Sequence, residues 1–373
     1  MSKTLGIGVI GCGNISAAYM RLAPMFKGIE MRACADLNAE AAHARATEFG
    51  LRADTIDGLL ASDDIDIVVN LTIPAAHFKV SKQILEAGKH VYSEKPFVLS
   101  REEGLELARI AAEKGLRVGS APDTFLGGAH QLARHLVDAK AVGTITSGTC
   151  FVQSPGMEMW HPNPDFFFQP GGGPILDLGP YYLSNLIQLL GPVKRVCAMS
   201  SSAQEYRTIT SEPRSGEKIK VETPTTIHAV MQFHSGAQIT YCASWDVWEH
   251  GHSNMELYGT EGTLHVPDPN FFGGEIRMTE KGSFTNGTPA WDHPFGKAND
   301  GERANYRAAG LADMAQAIQS GRGHRCSLEF ALHVVDVMTS ILTSGETGQF
   351  IEIETSCDRP AALGIEEARA LLA

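Results

Sequence analysis

From residue 5 to residue 120 the chain alternates short apolar runs with amphipathic stretches. Residues 5–10, 31–35, 65–71, 90–93 and 117–120 read as strands, short and apolar enough to be buried in a sheet. Between them, residues 15–26, 39–49, a stretch ending at Ala87, and 101–114 carry apolar positions at helical spacing. Repeated β-α units with short connections predict a parallel, doubly wound sheet of the Rossmann kind. The texture changes after Pro122. Helical patterns at 131–139 and 174–190 are followed by strand-like runs at 144–152, 193–201, 225–233, 237–245, 255–258 and 275–278. The signals His234-Ser235-Gly236 and Gly259-Thr260-Glu261-Gly262 join neighbouring strands as hairpins. The expected fold class is therefore α/β: an N-terminal doubly wound domain over 1–121, and an α+β domain over 122–373 with a large, mainly antiparallel open sheet. Two late helices, 305–319 and 328–343, are expected near the domain junction.

Composition narrows the function classes. The 373 residues are 43% hydrophobic and 20% charged, as in a core-forming globular protein. No segment has the unbroken apolar length of a membrane span. A net charge of −12 disfavours nucleic acid, whose phosphates call for a basic footprint. The seven cysteines are scattered without a C-x-x-C, a pattern of free thiols in a reducing compartment. The opening Met1-Ser2-Lys3-Thr4 lacks the charged-then-apolar pattern of a secretory leader, so a cytoplasmic protein is expected. The fourteen histidines show no H-E-x-x-H or comparable spacing, and no metal site is expected.

The first chemical signal is Gly11-Cys12-Gly13-Asn14-Ile15-Ser16, which follows the first strand and opens the first helix. This is G-x-G-x-x-G with serine at the third glycine. The first glycine permits the tight turn, the second admits a pyrophosphate to the backbone, and the helix N-terminus offers N–H donors and a positive dipole end. Asp36 ends the second strand, where a carboxylate would bind ribose hydroxyls. Leu37 and Asn38 follow with no neighbouring arginine, so a 2′-phosphate would meet repulsion without compensation. NAD is expected rather than NADP.

The second signal is Glu94-Lys95-Pro96 after the strand-like 90–93. A lysine at the carboxyl end of such a strand faces the ligand crevice, and the proline fixes its backbone direction. With these motifs stand Thr72-Ile73-Pro74-Ala75-Ala76-His77 and Gly171-Gly172-Gly173-Pro174-Ile175-Leu176-Asp177-Leu178-Gly179-Pro180-Tyr181. In this order and spacing the set resembles the glucose–fructose oxidoreductase/inositol dehydrogenase (Gfo/Idh/MocA) family across nearly the whole chain. The resemblance implies that Lys95 lies beside the nicotinamide, in a bond to Pro96 that can be cis. It implies that Glu94 contacts the ribose or positions the lysine. Thr72, Pro74 and His77 would line the cofactor site, and Asp177 would be the catalytic-site aspartate. Many relatives carry histidine four residues after that aspartate. Tyr181 stands there instead, as in the tyrosine-bearing branch with glucose–fructose oxidoreductase and dihydrodiol dehydrogenase.

Tyrosine has a pKa of about 10, too high for a base near neutrality, and a nearby ammonium favours its phenolate. Asp177 and Tyr181, at i and i+4, share one helix face. The expectation is that Tyr181 takes the hydroxyl proton, Lys95 tunes it and binds the hydroxyl, and Asp177 orients the sugar or the lysine; an exchange of roles between Lys95 and Tyr181 stays open. Tyr181 and Tyr182 could instead be core aromatics at a domain interface, Tyr182 more so than Tyr181. Asp123, after the last strand of the first domain, is grouped with the cofactor residues. Trp160 and His161 stand in a loop rich in proline and aromatics, a candidate wall of a sugar pocket. Arg307 and Arg325 read as ion-pair residues that could also reach the site, and His333 as either a packed core histidine or a cofactor neighbour. The expected function is an NAD-dependent dehydrogenase that oxidises an aldose, a pentose or a branched pentose such as D-apiose, at its anomeric hydroxyl. Oxidation of a ring secondary hydroxyl, as in inositol or at C3 of a glycoside, is the enzymatic alternative, and a non-catalytic NAD-binding sensor the alternative of another class. The expected partners are a small sugar or polyol and further copies of the chain in a homodimer or homotetramer.

Overall fold

The computed structural model describes residues 3–283 and 287–373; Met1 and Ser2, where the sequence opens, lie outside them. The chain forms two compact units, one of 1–128, 292–332 and 360–373, the other of 129–291 and 333–359. In chain order the first unit begins β1 (Leu5–Ile10), α1 (Asn14–Leu22), β2 (Ile29–Ala35), α2 (Ala39–Phe49), β3 (Arg52–Asp54), α3 (Ile56–Ala61), β4 (Ile67–Asn70), α4 (His77–Glu86), β5 (His90–Ser93), α5 (Arg101–Lys114) and β6 (Val118–Ser120). Six strands among the described residues make one sheet of order β3-β2-β1-β4-β5-β6, every neighbouring pair parallel. The order reverses between β1 and β4, and ligands of such sheets bind at that switch point, beyond the carboxyl ends of the strands.

Local chemistry sets the element ends. Ser100 caps α5 by accepting from the Glu103 N–H at 3.2 Å, the Glu103 carboxylate accepts from the Leu99 N–H at 3.0 Å, and Gly115 closes the helix at φ 64°. The helix expected over 15–26 stops at Leu22 and passes into a 3-10 turn, Ala23–Met25, because Pro24 has no N–H to continue the ladder. The edge strand β3 escaped the hydrophobic pattern because its three residues, Arg-Ala-Asp, are not apolar.

The second unit continues with α6 (Gly128–Asp138, whose first residue belongs to the first unit), β7 (Ile145–Gln153), α7 (Pro174–Leu190), β8 (Val193–Ser201), β9 (Tyr206–Thr208), β10 (Lys218–Lys220), β11 (Thr226–Phe233), β12 (Gln238–Ser244), β13 (Met255–Gly259), β14 (Gly262–Val266) and β15 (Arg277–Glu280). After these come α8 (Ala309–Ser320), α9 (Leu328–Thr347), β16 (Ile351–Glu352) and α10 (Ile365–Leu371). Eight of these strands form a sheet of order β15-β14-β13-β7-β12-β11-β8-β16, antiparallel except for the β7–β12 pair. Strands β9 and β10 form a separate two-stranded hairpin. Helix α7 is apolar around most of its circumference and is buried against β7, β11 and β12. Among the described residues no helix is long and apolar enough to cross a membrane.

Helix α8 belongs to the first unit. The Gly310 N–H donates to Asp123 at 3.1 Å, and the Ser120 N–H to the Cys326 carbonyl at 3.1 Å, which fixes the segment beside β6. The anchor is Asp313, whose side chain is fully buried. It accepts from the Arg325 backbone N–H at 2.7 Å, from the Arg325 guanidinium at 2.5 Å and from Arg322 at 2.7 Å. Burial opposes its ionisation, but the two arginines outweigh it and hold the carboxyl below the usual carboxylate range. Arg325 also reaches Glu367 at 2.6 Å and the carbonyls of Ala361 and Ala362, so it is an internal ion-pair residue. Asp313→Ala removes the buried carboxylate from Arg325; it is expected to destabilise the protein by about 3 kcal/mol and to lower the thermal midpoint measured by circular dichroism. A midpoint equal to that of the parent would show that Arg325 is satisfied by its remaining partners.

Candidate active site

The turn after β1 is shaped for close approach. Gly11 has φ 102°, and a Cβ there would lie 2.6 Å from the Leu71 backbone at the end of β4, so the position requires glycine. At Gly13 a Cβ would meet nothing within 4 Å, and Gly13 caps α1 without any side-chain hydrogen bond. Asn14 and Ile15 therefore open a helix whose first N–H groups lack a side-chain cap. Ser16 is fully buried and donates to the Gly13 carbonyl at 2.6 Å, so its hydroxyl is accommodated where the third glycine would stand. Asp36, just past β2, accepts from the Cys12 N–H at 2.7 Å and the Asn38 N–H at 2.8 Å, which joins β2 to the turn. Leu37 beside it is 94% exposed. Asparagine at 38 also caps α2. Open space at an uncapped helix N-terminus and a carboxylate beyond the second strand fit the pyrophosphate and a ribose of a dinucleotide. Arg45 on α2 had no sequence signal here. It donates to the Gly13 carbonyl at 3.3 Å while paired with Glu48 at 2.6 Å, so its charge near the turn is already partnered.

Beyond β4, Thr72 donates to the Asn70 side chain at 2.7 Å, and Pro74 begins a 3-10 turn that leads into α4. His77 is fully buried. Its two ring nitrogens lie 2.7 Å from the Pro96 carbonyl and 2.9 Å from the Thr72 carbonyl, so the ring sits between the loops after β5 and β4 and, when neutral, donates to one of the two carbonyls. Burial lowers its pKa below the ordinary histidine range.

Glu94 is the hub of the first unit. One carboxylate oxygen accepts from Tyr19 at 2.9 Å and Arg307 at 2.8 Å, and the other from the Lys95 backbone N–H at 3.0 Å. Burial raises its pKa, but Arg307, Lys95 and these hydrogen bonds outweigh it and keep the carboxyl below the usual range. Burial and the Glu94 charge push the Tyr19 phenol up, so it stays protonated as the donor. The geometry gives Glu94 a direct hold on the lysine backbone, and the Lys95–Pro96 bond is cis. Arg307 is an ion-pair partner inside the motif's own network, stacked over the Tyr19 ring at 5.7 Å. Asp123 is buried beside this network, with burial pushing its carboxyl up to about 6 against the pull of Arg307.

In the second unit, Gly173 (φ 90°) donates its N–H to the Phe167 carbonyl at 2.7 Å and precedes Pro174 at the start of α7. Asp177 stands in the first turn and Tyr181 one turn later, so the two share a helix face. Burial lowers the pKa of His161, against the Asn163 hydrogen bond and the charge of Asp177. Trp160 is 63% exposed, and its ring meets the His161 ring edge-on. Tyr182 points elsewhere, donating to Asp268 at 2.8 Å and accepting from Asn254 at 3.1 Å, and is a structural aromatic. His333 is a packed core histidine: it accepts from the Val193 N–H at 3.0 Å and pairs with Thr355 at 3.0 Å. A cavity of about 440 Å³ lined by Asp313, Arg322, His324, Arg325, Leu363 and Glu367 contains none of the motif residues. No group of three His, Cys, Asp or Glu among the described residues is placed to hold a metal ion.

Two family models match this chain. One, the oxidoreductase family with an NAD-binding Rossmann fold, covers residues 5–121, and the other, the GFO/IDH/MocA C-terminal domain, covers 130–265. The chain belongs to the GFO/IDH/MocA family of oxidoreductases, and its first unit carries an NAD-binding Rossmann domain. Among its relatives, dTDP-3,4-didehydro-2,6-dideoxy-alpha-D-glucose 3-reductase of Streptomyces violaceoruber is 30% identical over 268 residues, 70% of this chain and 72% of that protein. D-xylose dehydrogenase of Paenarthrobacter nicotinovorans is 27% identical over 328 residues, 80% of each chain. A crystal form of levoglucosan dehydrogenase with NADH and L-sorbose superposes with a TM-score of 0.80 at 21% identity, covering 95% of this chain and all of that one.

Asp36→Ala removes the carboxylate that stands just past β2. It is expected to weaken NAD binding about tenfold or more, the scale of a lost hydrogen bond to a charged group, and to weaken NADP binding less. Titration calorimetry with both dinucleotides checks this, and an unchanged ratio of the two affinities would remove Asp36 as the discriminating residue.

Proposed function

We propose that the chain is a cytoplasmic NAD-dependent sugar dehydrogenase that oxidises the anomeric hydroxyl of an aldose to a lactone, with a pentose or a branched pentose such as D-apiose as substrate. The observation that carries it is the pairing of Asp177 and Tyr181 on one face of α7, in an oxidoreductase that also keeps Lys95 in the Glu94-Lys95-Pro96 turn. Relatives named D-xylose dehydrogenase and levoglucosan dehydrogenase support a sugar substrate. Retention of all three groups weighs against a sensor without chemistry.

Gly11, Gly13, Asn14, Ile15, Asp36, Leu37, Thr72, Pro74, His77, Glu94, Lys95 and Asp123 form the cofactor side of this reading. Asp36 favours NAD over NADP, although one relative is named for NADP(+). Bound NAD supplies the hydride acceptor for the carbinol hydrogen. Tyr181 takes the hydroxyl proton as C1 becomes a carbonyl, the Lys95 ammonium favours the phenolate and binds the substrate oxygen, and Asp177 orients the sugar or the lysine. Trp160 and His161 supply an apolar face and a polar tip to the ring. A homodimer or homotetramer is part of the same proposal, supported by Met199 and Val230, exposed on the adjacent strands β8 and β11.

A second reading, chemistry at a ring secondary carbon, is favoured by the relative named a 3-reductase. Products separate the two, because a lactone hydrolyses to an acid and a ketose does not. NADH absorbance with NAD and a panel of aldoses, polyols and glycosides is the test. Lys95→Ala and Tyr181→Phe are each expected to lower kcat about 10²- to 10⁴-fold on the aldose that releases acid, the range for a lost proton-transfer group. Full turnover in Tyr181→Phe would move the base to Lys95, and ketose formation would establish the second reading.

A further inference from the structure

The hairpin β9–β10 of the second unit lies where no hydrophobic pattern announced a strand. Its contacts converge on one segment, residues 155–168, the loop that carries Trp160 and His161. The Thr210 and Ser211 N–H groups donate to the Glu158 carbonyl at 3.0 and 3.3 Å, and the Ser211 hydroxyl donates to the His161 carbonyl at 2.6 Å. Arg214 forms a bidentate pair with Asp165 and is itself held by Glu217 at 2.8 Å. Arg207 is buried and donates to the Pro155 carbonyl at 3.2 Å, Glu158 at 2.9 Å and the Trp245 carbonyl at 2.9 Å, and it pairs with Asp246. Beneath these polar contacts, Ile209 and Ile219 of the hairpin pack with Met157, Phe167, Phe168 and Trp245, and Leu178, next to Asp177, joins the cluster.

This clamp does not simply bury the loop. It buries Phe167 and Phe168 but leaves Trp160 63% and Phe166 43% exposed. Within the held loop, neighbouring residues set the state of His161. The Asn163 N–H donates to His161 Nδ1 at 3.1 Å, so the proton of the neutral ring sits on Nε2 and is available as a donor. The rings of Trp160, Phe166 and Phe167 meet that imidazole edge-on and fix its plane. A loop of this length left free would have to order on each binding event, and fixing it beforehand removes that cost.

We propose that the β9–β10 hairpin is the specificity element of the sugar site: it holds residues 155–168 as a preformed wall whose Trp160 face and His161 Nε2–H select the ring and its hydroxyl pattern. This rests on the sugar-dehydrogenase reading above. Arg207, Ser211 and Arg214 are positioning residues in this scheme, acting through the loop.

The test uses Ser211→Ala combined with Arg214→Gln, a milder change than removing Arg207 from two buried carboxylates, beside Ser211→Thr, which keeps the hydroxyl. Two readouts are taken: hydrogen exchange of the 157–168 peptide by mass spectrometry, without sugar, and steady-state kinetics on the aldose oxidised best by the parent protein. In the double variant, exchange is expected to quicken about tenfold and the sugar KM to rise about tenfold, with kcat and the KM for NAD within about twofold. The ratio of kcat/KM between pentose and hexose is expected to shrink, and Ser211→Thr to stay near the parent. Unchanged exchange would overturn the clamp. Faster exchange with an unchanged sugar KM and pentose-to-hexose ratio would overturn the specificity role. A parent protein that oxidises no sugar would refute the functional reading itself and the specificity role with it, while the exchange data would still decide the clamp.

Discussion

The first unit depends on one buried carboxylate. Glu94 sits at the end of β5 with its two oxygens shared among Tyr19 of α1, Arg307 ahead of α8 and the N–H of Lys95. A carboxylate this deep is tolerated only because it is fully partnered. Each partner comes from a different part of the chain, so the arrangement holds only when α1, the β5 turn and the late segment 305–310 are all in place. The Asp313–Arg325 pair secures that late segment, and His77 lies on the other side of the same turn, against the Pro96 carbonyl. The backbone direction of Lys95 is therefore set from three sides, as its proposed role at the substrate hydroxyl would require.

The second unit solves a different problem. Asp177 and Tyr181 are carried by a rigid helix, but the residues ahead of that helix form a long aromatic loop. Loops are where specificity lives and also where order is least assured. Here the loop is stitched to the β9–β10 hairpin by backbone, ionic and apolar contacts together, and the Gly173 N–H closes it onto the start of α7. Static contacts thus run from the hairpin through the loop to the first turn of α7.

Much of this was legible in the sequence, for identifiable reasons. Strands buried on both faces, such as β1 and β4, and helices with local caps, such as α5, declare themselves through composition and neighbours alone. Helix α7 was bounded correctly because Gly173-Pro174 and Gly191 mark its ends. The hairpin strands β9 and β10 were not legible: at three residues each, with one buried position apiece, they carry too little pattern. Tyr19 and Arg45 were missed because their roles are contacts between distant segments. A tyrosine on the buried face of α1 looks like any core aromatic until Glu94 is placed against it. Arg307 could be read only as a choice between ion pair and site, and the fold joins the two by making its ion-pair partner the glutamate of the Glu94-Lys95-Pro96 motif.

The same network bears on the use of tyrosine at position 181 under the proposed mechanism. A histidine titrates near neutrality without help, whereas a phenol needs a cation to lower its pKa. The nearest carboxylate in sequence to Lys95 is Glu94, and a lone anion there would cancel the lysine charge. Arg307 answers that anion: its guanidinium lies 2.8 Å from Glu94 and pairs with the carboxylate. Under the proposed mechanism the arginine does more than stabilise the fold. It satisfies the carboxylate that adjoins Lys95 in sequence, a requirement that a tyrosine base imposes and a histidine base does not.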